Sequence, residues 1–493
     1  MNLLTDRWIP VLHKDGKVRA VAPHEVADAN LIRFAWSRPD FNTACLEFLI
    51  GLVFLADPPS DADDWEDRRV PDAQRLQKRL LAHAHAFNLD GPGPRVLQDF
   101  EPFDQDDPDR KNMSGLDTLF IGSAGEQTIK HNKDLMVTRR LETVLDLPTA
   151  AMALITLQFF APVGGSGIRA GLRGGGPITT LVDPGNGLWD MVWANVPYGA
   201  PGTADNLPWM RSTRTSEKGS PTHITVLEAG NSTYDLEVFF SMPRRLRLGF
   251  SATGDQVVGV WQRNLGTNYT ETIHPLTPYY EDKDGNLLPC HPNGPRYGYE
   301  NWLGQVVQGK SSTIRRAVVL GLWEDRMPRE TAKVHVSGWN MSNAKAVDYM
   351  EARQIVHFLD EERNDLLEHM IEASQDVAQM VADRIGKACG PEMKSHARTL
   401  FFELTEEKLS QLYNQLSFGE PLPNVGTDWY QCLRDTAIRL FDQRTTPLLS
   451  QRDTKRIKKV IKGRRDLLGI FGKRTQKAKE LRANLRTLEG SDA

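Results

Sequence analysis

The sequence predicts an α+β protein: a large N-terminal mixed domain with mostly antiparallel sheet, residues 1–343, followed by a C-terminal four-helix bundle, residues 344–493. Three observations carry this. Short β-rich runs crowd residues 112–340 without alternating regularly with helices, which disfavours a doubly wound parallel sheet. Beyond Asn343 the apolar residues fall at roughly helical spacing, with Pro and Gly at the joints. A chain of 493 residues, 40% hydrophobic and 25% charged, is long enough for several domains and ordinary for a folded protein, which excludes a disordered chain or a fibre.

The elements follow in order. Trp8–Leu12 and Val18–Val21 flank Lys14-Asp15-Gly16-Lys17, and Asp-Gly is suited to a hairpin turn. Residues 42–56 read as a core helix, and 72–87 as a second with Leu76, Leu80 and His83 on one face. From Gly91 to Lys111, Pro, Gly and Asp predict a solvated loop. Strands are expected at 117–122, 177–183, 223–228, 234–241, 245–250, 256–262, 313–323 and 333–339. In Arg245-Leu246-Arg247-Leu248 the arginines should share one face and the leucines the other. Helices are expected over 344–388, 392–416, 428–445 and 450–486.

The formal net charge is only −4, but residues 452–486 hold fourteen basic residues against three acidic ones, a local +11. Such a focus suits phosphates, so Lys455, Lys458, Lys459, Lys462 and Arg465 are candidate nucleic-acid contacts. The four cysteines form no CxxC pair and read as reduced thiols, so no metal site is expected. No basic leader precedes an apolar stretch, and the most apolar run, Ala44–Ala56, contains Glu47 and falls short of the ~20 residues a bilayer needs. A cytoplasmic protein without a membrane partner is expected.

The most unusual stretch is Ala161–Pro177, with seven glycines and two arginines in seventeen residues. Bare backbone can approach another surface closely, and Arg169 and Arg173 would suit phosphates. A Walker A loop would require Gly-Lys-Ser/Thr, and the Rossmann pattern a different glycine spacing, so the segment fits neither. His83-Ala84-His85 is a weak metal signal, and no HExxH or GxSxG occurs. No catalytic set emerges and no cofactor is expected.

The opening Asn2-Leu3-Leu4-Thr5-Asp6-Arg7-Trp8-Ile9-Pro10-Val11, the stretch Ala161-Pro162 through Gly171-Leu172-Arg173-Gly174-Gly175-Gly176-Pro177-Ile178-Thr179-Thr180, and His274-Pro275-Leu276-Thr277-Pro278 together resemble the CasA family, the large subunit of the type I-E CRISPR surveillance complex Cascade. The resemblance covers essentially the whole chain, the helical tail matching mainly in architecture. It implies a binding subunit and not an enzyme. Such a subunit recognises a short protospacer-adjacent motif in double-stranded DNA and helps open the duplex for guide RNA. It works with the other Cascade subunits and recruits a helicase-nuclease. The alternative is a guide-RNA-processing or nucleotide-hydrolysing enzyme using the glycine segment.

Carried onto this sequence, the family's glycine loop falls on Val163, Gly164, Gly165 and Ser166, and its minor-groove lysine on Arg263. The wedge driven under the first base pair follows a Gly-aromatic pair, here Gly338-Trp339, and falls on Ser342, Asn343 and Ala344. The middle residue is asparagine where the best-known pattern has glutamine, one methylene longer; Asn343 also stands where a helix N-cap is wanted. A guide RNA contact is implied near His131, Asn132 and Lys133. The paired cysteines that suit zinc in some relatives are missing from this sequence.

Overall fold

The structure is a computed structural model that describes residues 1–107, 109–124, 130–131, 143–165, 167–220, 223–224, 234–270, 272–294, 296–309, 313–328, 330–342, 345–450 and 453–488. It divides into two compact units, residues 1–296 with 317–355, and residues 297–316 with 356–493.

The first unit opens on β1 (Ile9–His13), β2 (Val18–Val21) and β3 (Leu31–Phe34), a sheet ordered β2-β1-β3. Ile9 lies opposite Val21 and Leu12 opposite Val18, and Gly16 takes φ +80°, so the expected Asp-Gly hairpin is present. Helix α1 (Pro39–Ala56) begins with Pro at its first turn and is apolar all round, which suits only an element enclosed by others. It is long and apolar enough to cross a membrane, longer than the run read from the sequence, yet 89% of it is buried within the protein. The short α2 (Ala62–Asp67) and α3 (Ala73–Leu81) follow, and the predicted 72–87 helix ends early, giving way to a 3-10 turn at Ala84–Ala86.

After β4 (Leu145–Asp146) comes a second buried helix, α4 (Leu147–Phe160), which the sequence reading does not assign. The Asp146 carboxylate accepts from the Thr149 N–H at 2.8 Å and caps it. Its apolar run is continuous, so periodicity cannot show whether it is strand or helix. Helices α1 and α4 pack together at the centre of the unit. Strand β5 (Thr179–Asp183), helix α5 (Leu188–Trp193) and the short β6 (His223–Ile224) lead to the hairpin of β7 (Arg245–Phe250) and β8 (Gln256–Arg263), with Arg245 opposite Arg263. Strand β9 (Tyr269–Thr270) pairs with β6 in parallel, while β10 (Tyr279–Glu281) and β11 (Leu287–Pro289) pair antiparallel. The strand β12 (Ile314–Arg315) belongs to the stretch assigned to the second unit. Helix α6 (Val318–Arg326) then precedes β13 (Ala332–Ser342) and β14 (Lys345–Val356). The last sheet is ordered β14-β13-β5, with Ser337 opposite Thr179.

Several expectations fail here for identifiable reasons. Residues 117–122 and 234–241 contain 3-10 turns, not strands; at the second, Asp235 accepts from the Glu237 N–H at 2.8 Å and turns the chain. The predicted strand 313–323 becomes α6 after two strand residues. Of 223–228, only 223–224 are described. The division expected at 343/344 lies at 355/356, because β14 extends the sheet begun by β13 where a helix was expected.

In the second unit, α7 (Glu361–Cys389) starts at the Asp360 cap and stops at Gly390, φ +134°. Helices α8 (Met393–Ser417) and α9 (Leu422–Thr445) follow. The fourth expected helix, 450–486, is broken into α10 (Thr454–Ile470) and α11 (Gln476–Asn484). Thr475 caps the second piece, and the Phe471 carbonyl at the break accepts from the Tyr430 hydroxyl. Trp429 on α9 donates to the Met370 carbonyl on α7 at 2.9 Å, and Arg384 on α7 pairs with Asp466 on α10 at 3.1 Å, so these helices share one core.

At the centre of the first unit, Arg173 is 3% exposed and grips Glu47 of α1. Its Nη2 lies 2.6 Å from Oε2 and its Nη1 3.1 Å from Oε1; Nη1 also donates to the Thr277 hydroxyl at 2.9 Å. The Thr179 hydroxyl donates to Glu47 at 2.5 Å. Burial and the nearby guanidinium hold His274 well below the usual histidine range, so it is neutral; its Nδ1 accepts from the Leu276 N–H. Glu47→Gln would leave a buried guanidinium without its counter-charge and should cost about 3–5 kcal/mol, read by urea unfolding. A loss below about 1 kcal/mol would show that the pair does not hold the core together.

Candidate nucleic-acid interface

The glycine segment has two physically different halves. Residues 171–176 form a knot in which every glycine is needed for space or for conformation. A Cβ on Gly171 would stand 2.5 Å from the Phe159 carbonyl oxygen, and one on Gly175 would stand 2.5 Å from Pro162 Cα. Gly174 and Gly176 take φ +76° and +64°. The knot is tied by Gly171 N–H to Ala161 O and Gly176 N–H to Phe160 O, both 2.9 Å. Arg173 sits within it, so the expected phosphate contact of Arg173 is withdrawn: its guanidinium is buried and committed to Glu47.

The first half faces outward. Val163 is 56% exposed, Gly164 and Gly165 are exposed, and nothing lies within 4 Å of a Cβ placed on Gly165. Ser166 lies outside the described residues. The Gly164 N–H donates to the Ile168 carbonyl at 3.2 Å, closing the loop on itself. Half-buried Arg169 donates from Nε to the Ser216 hydroxyl at 2.8 Å, a neutral partner.

The loop is held from below by Arg244. Its Nη2 donates to the Pro162 carbonyl at 2.6 Å and its Nε to the Arg169 carbonyl at 3.2 Å, so one side chain pins both ends. Arg244 is only 9% exposed, and burial pushes it down to about 10, still protonated at neutral pH. The partners of this guanidinium among the described residues are these carbonyls, so the base of the loop carries a positive charge with no bonded anion. The sequence reading missed Arg244, although a signal existed: in 244–248 it shares the phase of Leu246 and Leu248, a cation at a core position.

Arg263 closes β8 beside this loop. Two residues on, the Leu265 N–H donates to the Gly167 carbonyl at 2.8 Å, with Leu265 held at φ +62°, a costly conformation for a branched residue. The 42%-exposed Arg263 side chain lies over the Phe103 ring, 4.4 Å from its centroid, and donates to Asp106 at 2.8 Å. The loop predicted to be merely solvated therefore supplies counter-charges: Asp99 pairs with Arg245, Asp104 with Arg247 and Asp106 with Arg263. The arginine and leucine faces of 245–248 separate as expected, but Arg247 is buried under this loop.

The other end of the glycine segment abuts β13. A Cβ on Gly176 would enter the Trp339 carbonyl, and one on Gly338 would stand 2.6 Å from the Pro177 carbonyl. Strands β13 and β14 are neighbours joined by two residues, which makes them a hairpin with exposed Ser342 at the end of the first strand. Asn343 and Ala344 lie outside the described residues, and the chain resumes as strand β14 at Lys345, where a helix was expected. His131 is an exposed turn residue, and Asn132 and Lys133 lie outside the described residues. In the second unit Lys455, Lys458, Lys459, Lys462 and Arg465 are all exposed on α10.

Among the described residues no group of three or more His, Cys, Asp or Glu is placed to hold a metal ion. His85 of the HxH pair instead meets Asp205 at 2.9 Å.

The profile described as CRISPR-associated protein Cse1 (CRISPR_cse1) matches residues 2–440, and the chain belongs to this family. No curated protein matches it in sequence. Among solved structures it is similar to CasA of Thermus thermophilus, at 17% identity and a TM-score of 0.69, over 95% of this chain and 99% of that one. Thermobifida fusca Cse1 gives 18% identity and a TM-score of 0.70 over 99% and 98% of the two chains. A chain of a CRISPR RNA-guided surveillance complex gives 17% and 0.67 over 95% and 99%. At these identities the likeness is one of fold, and mixed helices with small antiparallel sheets and a C-terminal helical region are common to them.

The split of the glycine segment is open to test by denaturation. Gly171→Ala and Gly175→Ala should each cost about 2 kcal/mol or more through overpacking, and Gly165→Ala less than about 0.5 kcal/mol. Equal costs at all three positions would contradict the division.

Proposed function

We propose that this chain is the motif-reading large subunit of a type I-E Cascade complex: it binds double-stranded target DNA through the minor groove and helps open it for guide RNA. Membership of the Cse1 family supports the assignment to the complex. The observation that carries the reading of the site is the Leu265 to Gly167 hydrogen bond, which fastens an exposed, glycine-rich loop to the strand end bearing Arg263.

The physical argument runs from shape and charge. The minor groove presents mainly a distinction between A·T and G·C, so a reader there tolerates several motifs. Gly164 and Gly165 let main chain approach base edges, while Arg263 and Arg169 add donors and Arg244 adds a fixed positive field beneath them. The Ser342, Asn343 and Ala344 tip would enter the base step beside the motif, unstacking that costs a few kcal/mol and is recovered from guide pairing. The cations on α10 would hold backbone phosphates without regard to sequence. His131, with Asn132 and Lys133, would contact guide RNA. The other Cascade subunits and a recruited helicase-nuclease complete the partners. The helical region would be arranged as the four-helix bundle that the resemblance implies. The role is one of binding without catalysis or cofactor, in the cytoplasm.

Gly165→Leu in the assembled complex should reduce discrimination between permitted and scrambled motifs about tenfold or more while assembly is unchanged. It is a cleaner test than Gly164, where a Cβ would also strike Ile168. A variant that still discriminates fully would remove the loop from the motif site. Replacing Lys458, Lys459, Lys462 and Arg465 with glutamine should weaken all duplexes alike and reduce the salt slope by about 0.9 per lost phosphate contact, measured by anisotropy across a salt series. Weakening restricted to one motif would contradict a phosphate role.

A further inference from the structure

Arg263 is not presented bare. Its guanidinium is sandwiched between the buried Phe103 ring and solvent, and its Nη2 donates to Asp106 Oδ2 at 2.8 Å. The Asp106 side chain is 75% exposed. The loop that delivers it is firmly built. Asp107 accepts from the Asn112 N–H at 2.6 Å, the Lys111 N–H at 3.0 Å and the Trp261 indole N–H at 3.3 Å, and these donors, Asn112 foremost, hold its carboxyl below the usual range. Asp104 is taken by Arg247 and Arg95, and Asp99 by Arg245. The neighbouring carboxylates thus have inward structural partners, and Asp106 alone of these four reaches out to an exposed cation at the candidate interface.

We propose that Asp106 is an intramolecular competitor for Arg263: an anion that occupies the guanidinium until the acceptors of the groove displace it, and so limits how tightly the preferred duplex binds. The inference rests on the reading of Arg263 as a minor-groove residue. An exposed ion pair is weak and easily exchanged, so the acceptors of a correct base step can replace Asp106. DNA that engages Arg263 also brings phosphates within a Debye length of the Asp106 charge. A duplex meets this cost when it draws Arg263 away from Asp106, so the anion weakens the contact at the motif without adding to the choice between motifs. Phe103 keeps the guanidinium at the surface throughout, so release from Asp106 frees its edge without loss of its position.

The test uses the assembled complex with two probes: a duplex of preferred motif and a pool randomised across the motif positions. Asp106→Asn keeps the side-chain shape and removes the charge. It should tighten binding of the preferred duplex about fivefold, equivalent to about 1 kcal/mol, with an equal or smaller gain for the randomised pool. In an Arg263→Ala background the same substitution should change binding of the preferred duplex by less than about twofold, because its target is gone. Unchanged affinity for the preferred duplex in Asp106→Asn, a larger gain for the pool, or an undiminished gain without Arg263 overturns the inference and leaves the motif-reading role of Arg263 standing. Full discrimination in Arg263→Ala alone overturns both.

Discussion

One buried ion pair organises the first unit. Arg173 and Glu47 join the glycine knot to the central helix α1, and Thr179 and Thr277 tie in β5 and the 274–278 segment. Breaking such a pair costs more than forming it gains, because either charge alone is stranded away from water. The knot must therefore close in one way, and its closure sets where the outer half of the same segment emerges. What looks from its composition like one flexible glycine tract is a rigid base with a short bare loop upon it.

The surroundings of that loop are charged in layers. Arg244 lies beneath it with carbonyl partners, Arg263 lies beside it with an exposed carboxylate, Arg245 pairs with buried Asp99, and buried Arg247 pairs with half-buried Asp104. This difference in partner and exposure runs along one hairpin. It converts a run of similar residues into distinct roles: two hold the sheet to its covering loop, one braces the glycine loop, and one stands at the rim.

The residues on which the family resemblance rests prove to be mostly structural. Trp8 is buried and donates to the Leu3 carbonyl at 2.9 Å, while His274 and Thr277 line the Arg173 site. Such motifs are recognisable because packing permits few alternatives, whereas an exposed surface is free to vary.

From the sequence alone, the mixed-then-helical order, the Asp-Gly hairpin, strands 245–250 and 256–262, and the helical character and charge of the basic tail were legible, since each depends on local periodicity, turn chemistry or charge density. The same was true of the glycine segment as an unusual stretch. Tertiary structure alone decided which glycines are walls and which are open, that Arg173 faces Glu47 across 126 positions of chain, and that the acidic loop returns to pair with β7 and β8. It also decided that residues 345–356 extend a sheet and that 147–160 are helix. These outcomes depend on partners distant in sequence, and a local pattern holds no information about which charge or carbonyl will stand opposite once the chain has closed.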